Sequence, residues 1–355
     1  MMTYPELGYT DKLEQFRNEN DLDSFEVGRV ILEHKERYII KTPKQEYEAE
    51  LMGNLRFTAE SRTDFPAVGD WVAFMEYDED KGIIHAVYPR KSIIERKAVG
   101  KTGQVQIIAT NINYGLIVQA VDRDFNLNRL ERYLTICHSS KVKPIIVLSK
   151  VDLISETELQ NINQQIEERI KDISVLQISS ESIGYEQVEE LIEPGKTYCL
   201  LGSSGAGKST LLNGLSGVEE MKTGEISSAV NKGKHTTSHR ELIVLNNGGI
   251  LIDNPGMREV GITDSSGGLE MTFESILNYA QQCRFKDCTH VHEAGCAILE
   301  ALDNEEIDED AYLNFRKMEK EKEHFESDAQ DRKKKDKELG RMIKDVKKHQ
   351  KRNKY

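Results

Sequence analysis

The sequence has no apolar run that approaches the length of a membrane span, and it does not begin with a basic stretch followed by an apolar one. The first absence argues against a membrane-spanning protein, and the second against a signal peptide. With 38% hydrophobic and 31% charged residues, the 355-residue chain is long enough for two or three packed domains. We therefore expect a cytoplasmic protein with no membrane partner.

Cysteine is scarce, with five residues in the whole chain. Cys137 and Cys199 lie in apolar segments and are predicted to be buried thiols. The other three lie close together beside a histidine. In a cytoplasmic protein such a cluster indicates a metal site rather than disulfides.

The cluster has the spacing Cys-x4-Cys-x-His-x5-Cys. Three thiolates and one neutral imidazole complete a tetrahedral set for one structural Zn²⁺ ion and leave no position open for a substrate. His292 competes with His290 as the nitrogen ligand, although His290 keeps the tighter spacing. The predicted ligands are Cys283, Cys288, His290 and Cys296.

The net charge of −13 is unevenly distributed along the chain. Residues 332–355 contain twelve Lys or Arg and three acidic residues, a net of about +9, so the rest carries about −22. A basic arm beside an acidic body is typical of a segment that meets nucleic acid. A solvated helix with a frayed basic end has the same composition, so charge alone leaves both interpretations open.

Short strands punctuated by Gly, Pro and Asp are predicted in the first quarter of the chain. Five of them in some 65 residues favour a small OB-like barrel, with an SH3-like barrel as the alternative. Residues 1–22 are predicted to form a short helix or arm, and 90–104 a link. The predicted strands are 26–32, 37–41, 47–51, 71–77 and 82–87.

Apolar runs then alternate with helical patterns, which predicts a mostly parallel α/β sheet with helices on both faces. After about residue 269 the pattern turns helical, and a long charged helix closes the chain. The predicted strands are 114–119, 144–149, 175–179, 197–202, 242–245 and 249–253, and the helices are 126–139, 157–171 and 208–216.

A phosphate-binding loop follows the strand at 197–202 and opens the helix at 208–216. It satisfies Gly-x4-Gly-Lys-Ser, in which backbone N–H groups face the phosphates, the lysine holds the β- and γ-phosphates and the serine hydroxyl ligates Mg²⁺. The predicted nucleotide-binding residues of this loop are Gly202, Ser203, Ser204, Gly205, Ala206, Gly207, Lys208, Ser209 and Thr210.

A second acidic motif, Asp253-Asn254-Pro255-Gly256, ends another apolar strand. Asp253 is predicted to anchor the Mg²⁺ shell, and the Gly256 N–H to contact the γ-phosphate. Between the two motifs lies Gly233-Lys234-His235-Thr236-Thr237. Thr236, with Thr237 as the close alternative, is expected to complete the Mg²⁺ shell.

Base recognition is predicted in Ser149-Lys150-Val151-Asp152, at the end of the strand at 144–149. The Asp152 carboxylate can accept hydrogen bonds from guanine N1–H and the 2-amino group, two donors that adenine lacks. Lys150 would lie over the base. Ser149 stands where asparagine is usual, and its shorter side chain offers fewer hydrogen bonds. Ser179 and Ser180, after another strand, fit an auxiliary loop that contacts guanine O6.

The residue after Gly256 is Met257, close to where a water-positioning glutamine is common in GTPases. A methionine cannot orient water by hydrogen bonding. His235 is the predicted catalytic residue because it lies in the loop between the two magnesium motifs.

These features together resemble the bacterial ribosome small-subunit-dependent GTPase family, RsgA (also called YjeQ). The motifs that carry the resemblance are Val68-Gly69-Asp70-Trp71-Val72, Gly233-Lys234-His235-Thr236-Thr237 and His292-Glu293-Ala294-Gly295-Cys296, within residues 25–320.

The resemblance implies an OB domain, a circularly permuted GTPase, a zinc-bearing helical domain and a role in late maturation of the small (30S) ribosomal subunit. It implies GTP hydrolysis stimulated by that subunit, with catalysis at His235. Lys97, Lys101 and the basic tail at 332–335 and 347–354 are candidate rRNA contacts. The expected domains are an arm (1–22), an OB-fold RNA-binding domain (23–92), the GTPase (93–268), the zinc domain (269–325) and a basic tail (326–355), in a monomer.

The base-reading loop precedes the phosphate loop, which reverses the order of an ordinary GTPase and indicates a circular permutation. The permutation places Asp253 near the exit of the GTPase domain, so we expect GTP to order the C-terminal parts and hydrolysis to loosen them. Two alternatives stay open. One is a weakly catalytic, nucleotide-gated rRNA-binding scaffold, and the other is an ATP-using enzyme, which Asp152 opposes.

Overall fold

A computed structural model of the protein describes residues 2–34, 36–59, 61–97, 105–122, 124–179, 184–216, 241–253 and 267–326. None of the helices in these ranges is both long and apolar enough to cross a membrane.

The first five strands form a closed barrel. Their hydrogen-bonded order is 1-2-3-5-4, and the fourth strand pairs with the first to close the ring. The OB-like barrel predicted from the sequence is confirmed, with strand bounds within two residues of those expected. The strands are β1 (Glu26–His34), β2 (Arg37–Lys41), β3 (Glu46–Leu51), β4 (Trp71–Asp78) and β5 (Lys81–Val87).

Apolar side chains from the strands fill the barrel, and β3 shows the alternation most clearly. In β3 every second residue is buried, so Tyr47, Ala49 and Leu51 point inward while the glutamates between them face solvent. Tyr47 packs on Phe74 of β4 with ring centroids 5.0 Å apart. Burial of such apolar side chains at about 1.5–3 kcal/mol each is the main stabilising term of a barrel this small.

The segment before the barrel packs against it. A 3-10 turn (Pro5–Leu7) leads into helix α1 (Asp11–Glu19). The Tyr9 ring meets Trp71 edge-on at 4.9 Å, and Phe16 lies 5.3 Å from Tyr88. The predicted helix is therefore docked on the barrel through its aromatic residues.

A two-stranded hairpin has its first strand inside the predicted link (90–104) and its second strand directly after it. It consists of β6 (Ile93–Lys97) and β7 (Val105–Thr110). Neither strand was predicted, because Lys, Gly and Arg residues interrupt the apolar pattern here, yet Ile94, Ile107 and Ile108 are buried.

The remaining strands form the predicted parallel sheet. Their order is 10-9-8-11-13-12, parallel throughout except for the antiparallel edge strand β12. One register pair, Leu32 with Glu241, joins β12 to the barrel strand β1. The strands are β8 (Tyr114–Ala120), β9 (Lys143–Ser149), β10 (Val175–Ile178), β11 (Thr197–Leu201), β12 (Glu241–Val244) and β13 (Ile250–Asp253).

Helices cover both faces of this sheet, and four more form the C-terminal unit with its own apolar core around Phe273, Phe315 and Met318. The helix at 185–191 was not foreseen. The helices after α1 are α2 (Gly53–Thr58), α3 (Leu127–Ser139), α4 (Glu156–Arg169), α5 (Tyr185–Leu191), α6 (Lys208–Ser216), α7 (Gly268–Thr272), α8 (Glu274–Ala280), α9 (Ala297–Asp303) and α10 (Glu309–Glu326).

Candidate nucleotide and metal sites

Four parallel strands end at one edge of the sheet, in the order β9, β8, β11, β13. Ligands of open α/β sheets bind outside the carboxyl ends of such strands. The base-reading loop follows β9, the phosphate loop follows β11, and Asp253 ends β13. The sheet therefore brings together three motifs that are spread over about a hundred residues of sequence.

The phosphate loop starts with a close approach between two backbones. Gly202 has a φ of 144°, and a Cβ added there would lie 2.2 Å from the main-chain oxygen of Val118 on β8, so only glycine fits. Ala206 is fully buried, whereas Ser204, Gly205, Ser209 and Thr210 are exposed. The loop thus combines a fixed base with an accessible rim.

Lys208, the first residue of α6, is 8% exposed and bends back over the loop. Its Nζ donates hydrogen bonds to the main-chain oxygens of Gly202 at 2.9 Å and Ser203 at 2.6 Å. Burial lowers the pKa of this ammonium group, and the charge of Asp253 opposes that shift. Lys208 of the phosphate loop and Asp253 of the acidic motif therefore interact electrostatically.

The base-reading loop is tied directly to the phosphate loop. Ser149 is 3% exposed, and its hydroxyl donates a 2.6 Å hydrogen bond to the main-chain oxygen of Ala206. Lys150 follows in the left-handed conformation with φ 60° and ψ 35°, and Asp152 lies exposed in a short 3-10 turn. The serine thus makes a bond between loops that its short side chain did not suggest.

The structure adds three functional candidates that the sequence did not predict: Asp122, Asp124 and Arg129. Asp122 pairs with Lys150 at 3.0 Å, and Asp124 accepts hydrogen bonds from Ser203 at 2.8 Å and from Arg129 at 2.5 Å. Hydrogen bonding to Lys150 lowers the pKa of Asp122, and bonding to Arg129 that of Asp124. The available signal was a pair of acids directly after the apolar strand at 114–120.

Of the remaining predicted nucleotide and switch residues, the structure describes Ser179. It is 4% exposed just past the end of β10, close to the edge that carries the base-reading loop. The other predicted contacts lie outside the described residues: Ser180, His235, Thr236, Thr237 and Gly256.

The four predicted metal ligands converge in the C-terminal unit. Their ligand atoms all lie within 4.8 Å of one another, and His292 does not belong to the group. Cys283 Sγ lies 3.6 Å from His290 Nδ1 and 3.9 Å from Cys296 Sγ, and Cys296 Sγ lies 3.5 Å from His290 Nδ1. A tetrahedral ion with bonds of ~2.3 Å to sulfur and ~2.1 Å to nitrogen holds its ligands about 3.6–3.8 Å apart. The donor set fits one zinc ion.

The turn that carries the histidine is fixed by its neighbours. His290 has a φ of 57°, which is uncommon for a residue with a side chain. The Tyr312 hydroxyl from α10 donates to the His290 main-chain oxygen. The Glu293 carboxylate accepts from the Thr289 and Val291 N–H groups, each at 3.0 Å, and these bonds with that of the Thr289 hydroxyl lower the pKa of Glu293. These contacts fix the backbone of the turn that carries His290.

The C-terminal unit docks on α3, the helix that starts beside the phosphate loop. Arg132 makes a two-pronged ion pair with Glu321 of α10, at 2.7 and 2.8 Å. Behind it, buried Glu131 accepts from Arg169 at 2.7 and 2.9 Å and from Asn314 at 2.6 Å. One face of α3 thus packs on the sheet and another holds the metal-bearing unit.

Comparison with known proteins finds relatives that cover most of the chain. The family model "RsgA GTPase" matches residues 87–263. An ABC transporter model matches 185–349, a stretch that also contains the phosphate loop. The chain is 36% identical over 347 residues to "Small ribosomal subunit biogenesis GTPase RsgA 1" of Bacteroides thetaiotaomicron, covering 96% of each chain. It is 38% identical to "Small ribosomal subunit biogenesis GTPase RsgA" of Opitutus terrae, covering 90% of each.

Two solved structures share the fold. YjeQ from Thermotoga maritima superposes with a TM-score of 0.61 at 24% identity, covering 83% of this chain and 98% of that one. YloQ, described as a circularly permuted GTPase, gives a TM-score of 0.61 at 21% identity, covering 84% and 95%. The reversed motif order of this chain has its structural counterpart in the second protein.

Proposed function

The chain belongs to the RsgA GTPase family, and we propose that it binds the small ribosomal subunit and hydrolyses GTP during the late maturation of that subunit. The observation that carries the proposal is the joining of a guanine-type loop after β9 to a phosphate loop after β11, through Ser149 and Ala206. The names of its relatives supply the biological setting.

The nucleotide is GTP or GDP. The exposed Asp152 carboxylate accepts from the guanine N1–H and 2-amino donors, and Lys150 lies over the base. Ser179 and Ser180 are the candidates for backbone N–H contacts to guanine O6. The backbone from Gly202 to Ser209 surrounds the phosphates, while Lys208 releases its loop carbonyls to hold the β- and γ-phosphates.

Mg²⁺ would neutralise charge on the phosphate oxygens. Ser209 and Asp253 would hold it, and Thr236, with Thr237 as the alternative, would complete the set. The Gly256 N–H contacts the γ-phosphate. His235 orients the attacking water, since Met257 cannot.

Cys283, Cys288, His290 and Cys296 would hold a structural zinc ion. Four protein ligands would leave it no free position, so it would stabilise the C-terminal unit and take no part in hydrolysis. Its binding free energy adds to the folding free energy of a unit whose apolar core is small.

The partner is folded rRNA of the small subunit. The barrel, the link lysines Lys97 and Lys101 and the basic tail supply phosphate contacts, and the acidic remainder disfavours indiscriminate coating of RNA. The chain acts as a cytoplasmic monomer. Its division into an arm, an OB domain, a permuted GTPase, a zinc domain and a tail follows the bounds given above.

Hydrolysis controls release. GTP holds the loop after Asp253, which leads into α7 and the metal-bearing unit, and loss of the γ-phosphate frees that loop. The subunit affinity is therefore higher with a non-hydrolysable GTP analogue than with GDP. Equal affinities in a pelleting assay would contradict this coupling.

Nucleotide competition tests the core of the proposal. GDP and GTP should displace a fluorescent guanine nucleotide, whereas ADP and ATP should not do so at a hundredfold higher concentration (a factor of about 100 is ~2.7 kcal/mol). Equal displacement by ADP would instead support an ATP-using enzyme. If the chain binds GTP in the presence of small subunits but does not release phosphate over many turnovers, the result would support the weakly catalytic scaffold instead.

A further inference from the structure

Strand β8 lies between the base-reading strand β9 and the phosphate strand β11. It pairs in parallel with both, and its last residue, Ala120, is level with Ser149 at the end of β9. The loop that follows β8 therefore leaves the sheet between the two nucleotide loops. The structure describes its residues 121, 122 and 124–126.

One arm of this loop reaches the base-reading side. The Val121 N–H donates to the main-chain oxygen of Ser149 at 3.1 Å. Lys150 Nζ donates to Asp122 Oδ2 at 3.0 Å, and each of these two side chains is 29% exposed. The ammonium that is to lie over the guanine base is thus held by a carboxylate from a different strand.

The other arm reaches the phosphate side. Ser203 Oγ donates to Asp124 Oδ2 at 2.8 Å and accepts from Arg129 Nη1 at 3.2 Å. Arg129 Nη1 also pairs with Asp124 Oδ2 at 2.5 Å, which closes a triangle of three side chains. The single hydroxyl proton of Ser203 is used in this bond, so its side chain anchors the phosphate loop to the protein.

The loop is itself well fixed. The Asp124 N–H donates to Asp122 Oδ1 at 3.2 Å, and buried Gln119 donates to the Asp124 main-chain oxygen at 3.2 Å. Asn126 caps α3 by accepting from the Arg129 N–H at 2.9 Å. The two acids therefore stand on a braced turn followed by a capped helix.

We propose that Asp122 and Asp124 are positioning residues for the guanine nucleotide: Asp122 orients Lys150 for the base, and Asp124 with Arg129 orients Ser203 and the phosphate loop. The proposal rests on the GTP-binding function proposed above. Its effect is on nucleotide retention, because loops already held in the bound geometry lose less entropy on binding.

A contribution to folding alone would look different. The Asp124 and Arg129 side chains are 46% and 31% exposed, and ion pairs at such positions stabilise a fold very little. Variants at Asp124 should therefore keep the unfolding temperature of the parent while losing nucleotide.

The dissociation rate of fluorescent GDP from the full chain provides the test. Asp124→Ala and Ser203→Ala should each release GDP about tenfold faster, as expected for loss of one charge-assisted hydrogen bond. The double variant should release it more slowly than the product of the two single effects predicts, because both substitutions remove the bond between Ser203 and Asp124. Asp124→Asn, whose amide oxygen can still accept from Ser203, should be intermediate. Asp122→Ala and Lys150→Ala should behave as a second coupled pair.

Asp78→Ala is the matched control, since it breaks a comparably exposed pair with Lys81 on the barrel. The positioning role is overturned if Asp124→Ala releases GDP at the rate of Asp78→Ala, or if the Asp124 and Ser203 effects multiply. A parent chain that retains no GDP would overturn the proposed function as well. If the parent retains GDP and Asp124→Ala releases it at the parent's rate, the positioning role alone is overturned.

Discussion

The Ser149 hydroxyl donates a 2.6 Å hydrogen bond to the main-chain oxygen of Ala206, and so joins the base-reading loop to the phosphate loop. Two loops separated by more than fifty residues thereby act as one binding surface. An asparagine is usual where Ser149 stands, and the serine makes its bond through a shorter side chain.

The first prediction concerns that bond. Ser149→Ala leaves the Ala206 oxygen without its hydroxyl partner at a buried position, which costs about 1–3 kcal/mol. We expect the GDP dissociation constant to rise about tenfold, as measured by titration with a fluorescent nucleotide. Ser216→Ala, which removes a serine bond to the Asn213 oxygen on α6, should leave it unchanged. Equal effects of the two substitutions would contradict the role of Ser149.

Base specificity should reside in Asp152. Asp152→Asn replaces a carboxylate that accepts two hydrogen bonds by an amide that both donates and accepts. GDP affinity should fall roughly a hundredfold or more, while xanthosine diphosphate, which has a carbonyl in place of the 2-amino group, should bind better than to the parent. Competition titrations measure both. Unchanged GDP binding would remove Asp152 from the site.

Zinc content should depend on the four predicted ligands and not on the neighbouring His292. Cys288→Ser should lose stoichiometric zinc after dialysis and lower the unfolding temperature, because the metal contributes folding free energy. His292→Ala should retain one zinc ion per chain, since His292 lies outside the group of ligand atoms. Elemental analysis decides, and zinc loss from His292→Ala would assign the nitrogen ligand differently.

Two neighbouring contacts on α3 should differ sharply in their contribution to stability. Glu131→Ala removes the buried carboxylate that pairs with Arg169, which is 9% exposed and keeps only Asn128 and the exposed Asp308 as partners, and should cost about 3 kcal/mol. Glu321→Ala breaks the Arg132 pair, whose side chains are 21% and 28% exposed, and should cost about 1 kcal/mol or less. Urea unfolding midpoints compare them. Similar costs would mean that burial does not govern this interface.

The sequence predicted the elements whose signals are local. Strand β3 alternates buried and exposed residues, and the phosphate loop and the metal ligands have diagnostic spacing. Such patterns follow from backbone geometry and coordination chemistry, so no tertiary information is needed to find them.

The contacts between distant segments could not be predicted in this way. Asp124 meets Ser203 because β8 lies between two other strands, and Arg132 meets Glu321 across 189 positions of sequence. These pairings depend on strand order and helix docking, which periodicity does not encode. The hairpin of β6 and β7 was missed for a related reason, since its strands are stabilised by pairing with each other.

The most direct test of the account is multiple-turnover phosphate release from GTP, with and without purified small ribosomal subunits. We expect subunits to raise turnover by the parent at least about tenfold (a barrier lowered by ~1.4 kcal/mol). We expect His235→Ala to bind GDP normally and to show no such increase. Turnover by the parent that does not respond to subunits would contradict the proposed function.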